Sequence, residues 1–157
     1  MNFLKEIISN HVLIVPIISW AICQTLKIFT NLITAKEFDI KRIVADGGMP
    51  SAHSATVFSL AVMCGWTAGF DSELFALSLL LAIVVMRDAV GVRRDTGKNA
   101  AKIKELADAV NKNMQSADGE IDTGKLKFVA GHSPFEVAAG VIIGLAVSVF
   151  YIVIFLA

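Results

Sequence analysis

The polar run Gly47-Gly48-Met49-Pro50-Ser51-Ala52-His53-Ser54 stands at the entrance to a long apolar segment. A histidine at the mouth of a hydrophobic helix, beside backbone N–H groups with no intrahelical partner, suits the handling of an anion. Helix N-termini carry orphan donors and a partial positive charge, and phosphate is a frequent guest there. A plainer reading competes: Pro50 at the first helical position, Ser51 or Ser54 satisfying backbone groups, and His53 resting in the headgroup layer. A second run, Gly131-His132-Ser133-Pro134-Phe135-Glu136, opens another apolar stretch. Ser133, Pro134 and Glu136 have the spacing of a capping box, in which Glu136 reaches back to the N-cap N–H. The same carboxylate can instead approach the ring of His132 and fix its tautomer, as nucleophilic or general-base work requires. The two roles compete for one side chain.

A third cluster, Arg87, Asp88, Arg93 and Arg94, lies in the run MRDAVGVRRDTGKNA. Asp88 closes an apolar stretch and needs a partner, which an arginine five or six residues on can supply. That pair reads as structural or as part of a site, and Arg93 and Arg94 read equally as flanking charges. Lys27 lies inside the first apolar stretch, three residues after Gln24 and on the same helix face. It either snorkels to the membrane surface or faces something functional.

The elements that must position these groups follow from composition. Of 157 residues, 55% are hydrophobic and 18% charged, with a mean hydropathy of +0.68. That is one domain's length and too apolar for an ordinary soluble domain, while a formal charge of zero gives no case for nucleic-acid binding. Four stretches are apolar enough to span a bilayer: about Val12–Ile33, Ala52–Ala68, Leu74–Val92 and Phe135–Ala157. The second is short, which implies tilt or shelter by protein. The first is long for a signal peptide, and no small-residue cleavage site clearly follows it. Arg87 and the loops Thr34–Met49 and Arg93–Gly131 hold 12 of the 14 Lys and Arg residues. The positive-inside rule therefore puts the loops in the cytoplasm and both termini outside a cell membrane. On this topology the end of span one, the start of span two, the end of span three and the start of span four share one face. Every unusual polar cluster of the chain lies at one of those ends.

Two further segments have plain readings. Ile103, Leu106, Ala107, Val110 and Met114 recur at helical spacing between Asn99 and Met114, giving an amphipathic cytoplasmic helix at the membrane surface or over the site. The acidic run Asp118–Asp122 lacks the remaining ligands of a calcium loop and reads as a solvated turn. The only two cysteines, Cys23 and Cys64, lie inside spans without metal-ligand spacing and read as packing residues.

The motifs carry a resemblance. The type-2 phosphatidic acid phosphatase superfamily, which includes vanadium haloperoxidases, has a PSxH signature and a later H-x-x-x-D signature. Pro50-Ser51-Ala52-His53 matches the first, and the run from His132 to Glu136 resembles the second with glutamate in place of aspartate. GGMPSAHSA, DAVGVRRDTG and GHSPFEV together resemble the divergent branch of that superfamily from Gln24 to the last span. The resemblance implies that His132 attacks phosphorus and forms a phosphohistidine, oriented by Glu136, and that His53 protonates the leaving oxygen. Ser51 and the Gly48 N–H would hold phosphate oxygens, with Arg93, Arg94 and Lys27 neutralising charge and Asp88 as structural support. No metal or cofactor is implied. There are departures. The superfamily's lysine followed by Arg-Pro is absent, with Lys27, or Lys41 and Arg42, as substitutes. The position six residues before His132 is Leu126 rather than arginine.

The expectation is an all-α integral membrane bundle of about four spans plus the amphipathic helix. It forms a single domain over residues 1–157, with an insertion at about 95–130. Its function would be metal-independent hydrolysis of a phosphate ester or pyrophosphate on a lipid such as an isoprenoid phosphate or phosphatidic acid. The alternative is non-catalytic binding of phosphate or a lipid head group, as a scaffold or transport element; vanadate-dependent halide oxidation ranks last. Four spans are fewer than the superfamily's six-helix core, so the amphipathic segment or a partner subunit in a homo-oligomer would complete it.

Overall fold

The computed structural model describes residues 3–35, 48–113, 121 and 131–157. Lys41, Arg42, Leu126 and the acids Asp118, Glu120 and Asp122 lie outside them. The described residues form α1 (Phe3–Ile8), α2 (His11–Ala35), α3 (Ala52–Ala68), α4 (Glu73–Val90), α5 (Val92–Asn113) and α6 (Pro134–Tyr151). A π-helical turn, Ile152–Leu156, extends α6. The protein is all-α, with no strand among the described residues.

Three helical segments are long and apolar enough to cross a membrane: His11–Thr30, Glu73–Lys112 and Pro134–Leu156. One of the four expected spans, α3, is not among them. Its 17 residues reach only about 25 Å, against roughly 30 Å of bilayer hydrocarbon. That helix is nevertheless the centre of the bundle, packed against α2, α4 and α6. The shelter expected for a short apolar segment is what the structure provides.

Small side chains make the central position possible. Ala52, Ser54, Ala55, Ser59, Ala61, Cys64 and Gly65 of α3 are buried together with one large residue, Met63. Gly140, Gly144 and Ser148, one turn apart on α6, are that helix's buried residues. A Cβ on Gly140 would strike the carbonyl of Ser51, and one on Gly144 that of Ala55. The two backbones therefore touch, as small-residue seams between membrane helices allow. The buried serines cost little in this setting, because their hydroxyls bond the preceding turn: Ser59 to Thr56 O at 3.0 Å and Ser148 to Gly144 O at 2.8 Å.

Contacts along the seam fix the directions. Gly140 faces Ser51 and Gly144 faces Ala55, so α6 runs parallel to α3. Cys23 packs with Ala52 and Ala55 while Val15 packs with Met63, so α2 runs antiparallel. Between α3 and α4, Phe75 approaches Gly65 across the turn at Gly69, and Ala89 at the far end of α4 accepts a bond from His132. The end of α2, the start of α3, the end of α4 and the start of α6 therefore meet at one end of the bundle. His11 Nδ1 and the Tyr151 hydroxyl, 2.9 Å apart, join α2 and α6 at the other.

The amphipathic helix is longer than the periodicity predicts. It begins at Val92 rather than near Asn99, separated from α4 only by a bend at Gly91 (φ −94°, ψ −92°).

Candidate active site at the polar end of the bundle

Ser51 organises the start of α3. It is the N-cap, fully buried, with its Oγ accepting from Ser54 N at 3.4 Å and from Ser54 Oγ at 2.9 Å. Pro50 precedes the cap and does not occupy the first helical position. The backbone N–H of Ser51 donates to Glu136 O at 3.0 Å, which ties this turn to the first turn of α6. Gly48 is exposed at φ +87°, a left-handed conformation that a side chain would strain. The Ser51 hydroxyl, for which a phosphate contact is expected, is 0% exposed and accepts both bonds of the cap.

The start of α6 is built more tightly still. Ser133 caps it, Pro134 follows, and the capping box with Glu136 is complete. Glu136 Oε2 accepts from Ser133 N at 3.1 Å and also lies 2.9 Å from His132 Nδ1. The two roles that compete in the sequence are shared by one oxygen. A carboxylate only accepts, so Nδ1 carries the proton, and in the neutral ring Nε2 keeps a lone pair. His132 N donates to Ala89 O at 3.1 Å, which fixes the same residue to the end of α4. Gly131 lies on the backbone of Arg93 and Arg94, where a Cβ would collide with main-chain atoms. His132 is thus held from α4, α5 and α6, and is 4% exposed.

His53 projects from the first turn of α3 and is exposed. Its ring centroid lies 6.3 Å from that of His132, with the planes at 56°. The structure therefore brings together the two histidines that lie 79 positions apart in the chain.

The charged groups at the neighbouring helix ends are engaged to different degrees. Arg93 Nε donates to Asp88 Oδ2 at 2.7 Å across the α4–α5 bend, so the partner of Asp88 is the nearer of the two arginines. Both side chains are about two-fifths exposed, and an ion pair of that kind contributes about 0–1 kcal/mol. The pair spans the bend at Gly91. Arg94 is exposed, and its main chain packs on Gly131. Lys27 does not snorkel: it is 3% exposed. Its place follows from its helix face. Cys23, one turn earlier, packs on Ala52 and Ala55, and Thr30, one turn later, donates from Oγ1 to Met49 O at 2.9 Å. Lys27 therefore stands at the level of the α3 cap. Gln24 Oε1, beside it, is buried with no hydrogen-bond partner among the described residues.

Three positioning features were missed in the sequence: the carbonyl of Ala89 and the close approaches at Gly131 and Gly140. The glycines carried a signal, since one immediately precedes His132 and the other lies a turn beyond Glu136. The Ala89 carbonyl carried none. Among the described residues there is no group of three or more His, Cys, Asp or Glu that could hold a metal ion.

Comparison with known proteins agrees with the motifs. The Divergent PAP2 family matches residues 8–147. An uncharacterized membrane protein of Bacillus subtilis (strain 168), YuiD, is 34% identical over 146 residues, covering 89% of this chain and 92% of its own. No solved structure matches. The match takes in α2 to α6, both histidine motifs and the bend between them, and the chain belongs to the divergent PAP2 family of membrane proteins.

Proposed function

We propose that the protein is a metal-independent phosphatase acting on a lipid phosphate ester or pyrophosphate through a phosphohistidine. One observation carries the reading: His132, oriented by Glu136 at 2.9 Å, stands with its ring 6.3 Å from that of His53. The Nε2 lone pair of His132 attacks phosphorus, and Glu136 stabilises the charge that develops on the ring. The P–O bond to the alcohol or phosphate leaving group breaks as His53, protonated, gives its proton to the departing oxygen. Water, deprotonated by His53, then cleaves the P–N bond, releasing phosphate and restoring both histidines.

Phosphoryl transfer relies on positioning and on neutralising the equatorial oxygens. Arg93, Arg94, Lys27 and the Gly48 N–H are assigned that task. Ser51 and Asp88 act one step back, Ser51 by fixing the turn that carries His53 and Asp88 by fixing Arg93. Apolar helices around the site favour a lipid leaving group. The departures from the superfamily's lysine and arginine pattern, with Leu126 where an arginine is expected, favour the second reading: phosphate or head-group binding without turnover.

The test uses purified protein in detergent, offered several lipid phosphates in the presence of EDTA, beside His53→Ala and His132→Ala. Phosphate release by the wild type, reduced by about a hundredfold or more in each variant, supports the enzyme. Equal background from all three proteins with retained lipid-phosphate binding establishes the second reading instead.

The same reading makes the protein multi-pass in the cell membrane, as one domain over residues 1–157, with the site facing the cytoplasm and both termini outside. The basic loops support that orientation. A cysteine placed at Ser116 resists a membrane-impermeant label in intact cells and reacts after permeabilisation; labelling in intact cells reverses the orientation.

A further inference from the structure

The bend between α4 and α5 encloses a cleft of about 430 Å³ lined by Ile83, Val84, Arg87, Asp88, Gly91 and Val92. That volume is within the range of about 300–1,000 Å³ common for small-molecule sites. It lies on the outer side of α4, where Ile83 is 50% and Val84 64% exposed, away from the seam with α3. Val92 belongs to both sides of the bend. By helical periodicity it shares one stripe of α5 with Ile103, Leu106 and Val110, all of them exposed. Exposed apolar side chains therefore line the outer face of α4 and its bend, and recur on one face of α5 from Ile103 onward, beyond the polar Thr96 and Asn99.

Charge on α5 is ordered about that stripe. Lys102 flanks it on one side and Lys104 lies further round on the other, while Glu105, Asp108 and Lys112 fall on the opposite face. Asp95, the acid nearest the stripe, is paired with Lys98 at 3.4 Å. An exposed apolar stripe with Lys102 beside it, and its nearest acid neutralised by Lys98, matches a helix lying in the headgroup layer of a bilayer.

Inside the cleft the charges leave a net positive site. Asp88 is taken up by Arg93 at 2.7 Å. Arg87 is exposed, and makes no ion pair or side-chain hydrogen bond among the described residues. It sits in the last turn of α4, beside the bend.

We propose that α5 lies on the bilayer surface with its apolar stripe down, and that the α4–α5 bend seats an anionic phospholipid. The lipid's chain lies along Ile83, Val84 and Val92, and its phosphate is held by Arg87. This site lies on the outer side of α4 and shares Asp88, through its pair with Arg93, with the candidate active site; its test reads no phosphatase activity.

Two measurements on the full chain in nanodiscs test it. Nitroxides are attached through Leu106→Cys and Asp108→Cys, the native cysteines being buried. The Leu106 label should collide with oxygen dissolved in the hydrocarbon, and the Asp108 label with an aqueous nickel chelate. Equal aqueous exposure of the two overturns the surface orientation. In nanodiscs of phosphatidylcholine with phosphatidylglycerol, native mass spectrometry after extraction reads the lipids that remain bound. Wild type and Arg87→Lys should retain about fivefold more phosphatidylglycerol than Arg87→Gln, with phosphatidylcholine unchanged. Equal retention of phosphatidylglycerol by Arg87→Gln, or an equal fall in both lipids, overturns the anionic site.

Discussion

The seam between α3 and α6 and the outer face of α4 are both apolar, yet they are built in opposite ways. The seam uses Gly140, Gly144, Ser148, Ala55 and Ser59, and its backbones meet. The outer face of α4 uses Leu74, Leu77, Leu80, Leu81, Ile83 and Val84, all largely exposed. In water the larger side chains would be the buried ones, because burial is driven by area removed from solvent. In a bilayer that drive is absent between helices. Close packing favours small residues, and the large ones turn to lipid. The α4 face is where a membrane protein meets its solvent, and the seam is where it holds its shape. The histidine centre stands on the seam: Ser51 N bonds Glu136 O at the point where Gly140 meets the Ser51 carbonyl.

The largest effect expected from this contrast is at Gly140→Ala. Helix propensity alone predicts stabilisation by about 1 kcal/mol. The seam predicts the opposite, since the added methyl collides with the backbone carbonyl of Ser51 and neither helix can yield locally. Destabilisation of about 2–3 kcal/mol is expected, measured as a lower midpoint of unfolding in a detergent–SDS titration. A rise in that midpoint removes the claim that the seam sets the packing.

A smaller effect is expected at Ser133→Ala, at the upper end of the same seam. The substitution removes the oxygen that accepts from Glu136 N at 3.3 Å, while Glu136 keeps its contact with His132. Loss of an N-cap lowers stability by about 1 kcal/mol, visible in the same titration. An unchanged midpoint means that the packing of α6 on α3, and not its cap, fixes the position of His132.

The contrast also explains what could be read from the chain. Hydropathy weights large side chains, so α2, α4 and α6 were evident as apolar stretches, and the alternating topology was enough to bring His53 and His132 to one end. The stretch of α3 was evident too, with its bounds at Ala52 and Ala68, but only as a short span; that its Ala, Ser and Gly make it the centre of the bundle was not. At the site, the pairing of Glu136 with His132 follows from their i, i+4 spacing at a helix start. The burial of Ser51 could not be read, because a serine that caps and a serine that binds phosphate occupy the same position. Arg93 as the partner of Asp88 depends on the bend at Gly91, which no periodicity encodes. The early start of α5 was hidden because its first turns carry Arg93, Arg94, Asp95 and Lys98.

The smallest effect is expected on the α4 face. Leu77 is 67% exposed, in the second turn of α4. Leu77→Ala removes three carbons, where Gly140→Ala adds one, yet a lipid chain replaces the lost contacts. The change in stability should stay within about 0.5 kcal/mol, provided the measurement is made in a bilayer or bicelle. A loss of about 2 kcal/mol or more would mean that Leu77 packs on protein, because only a fixed neighbour leaves a cavity behind. That neighbour would be a second copy of the chain or another partner, and the loss would then diminish on dilution into excess lipid. Stability independent of dilution and unaffected by Leu77→Ala assigns the face to lipid and leaves the seam as the part of the bundle that holds the histidines in place.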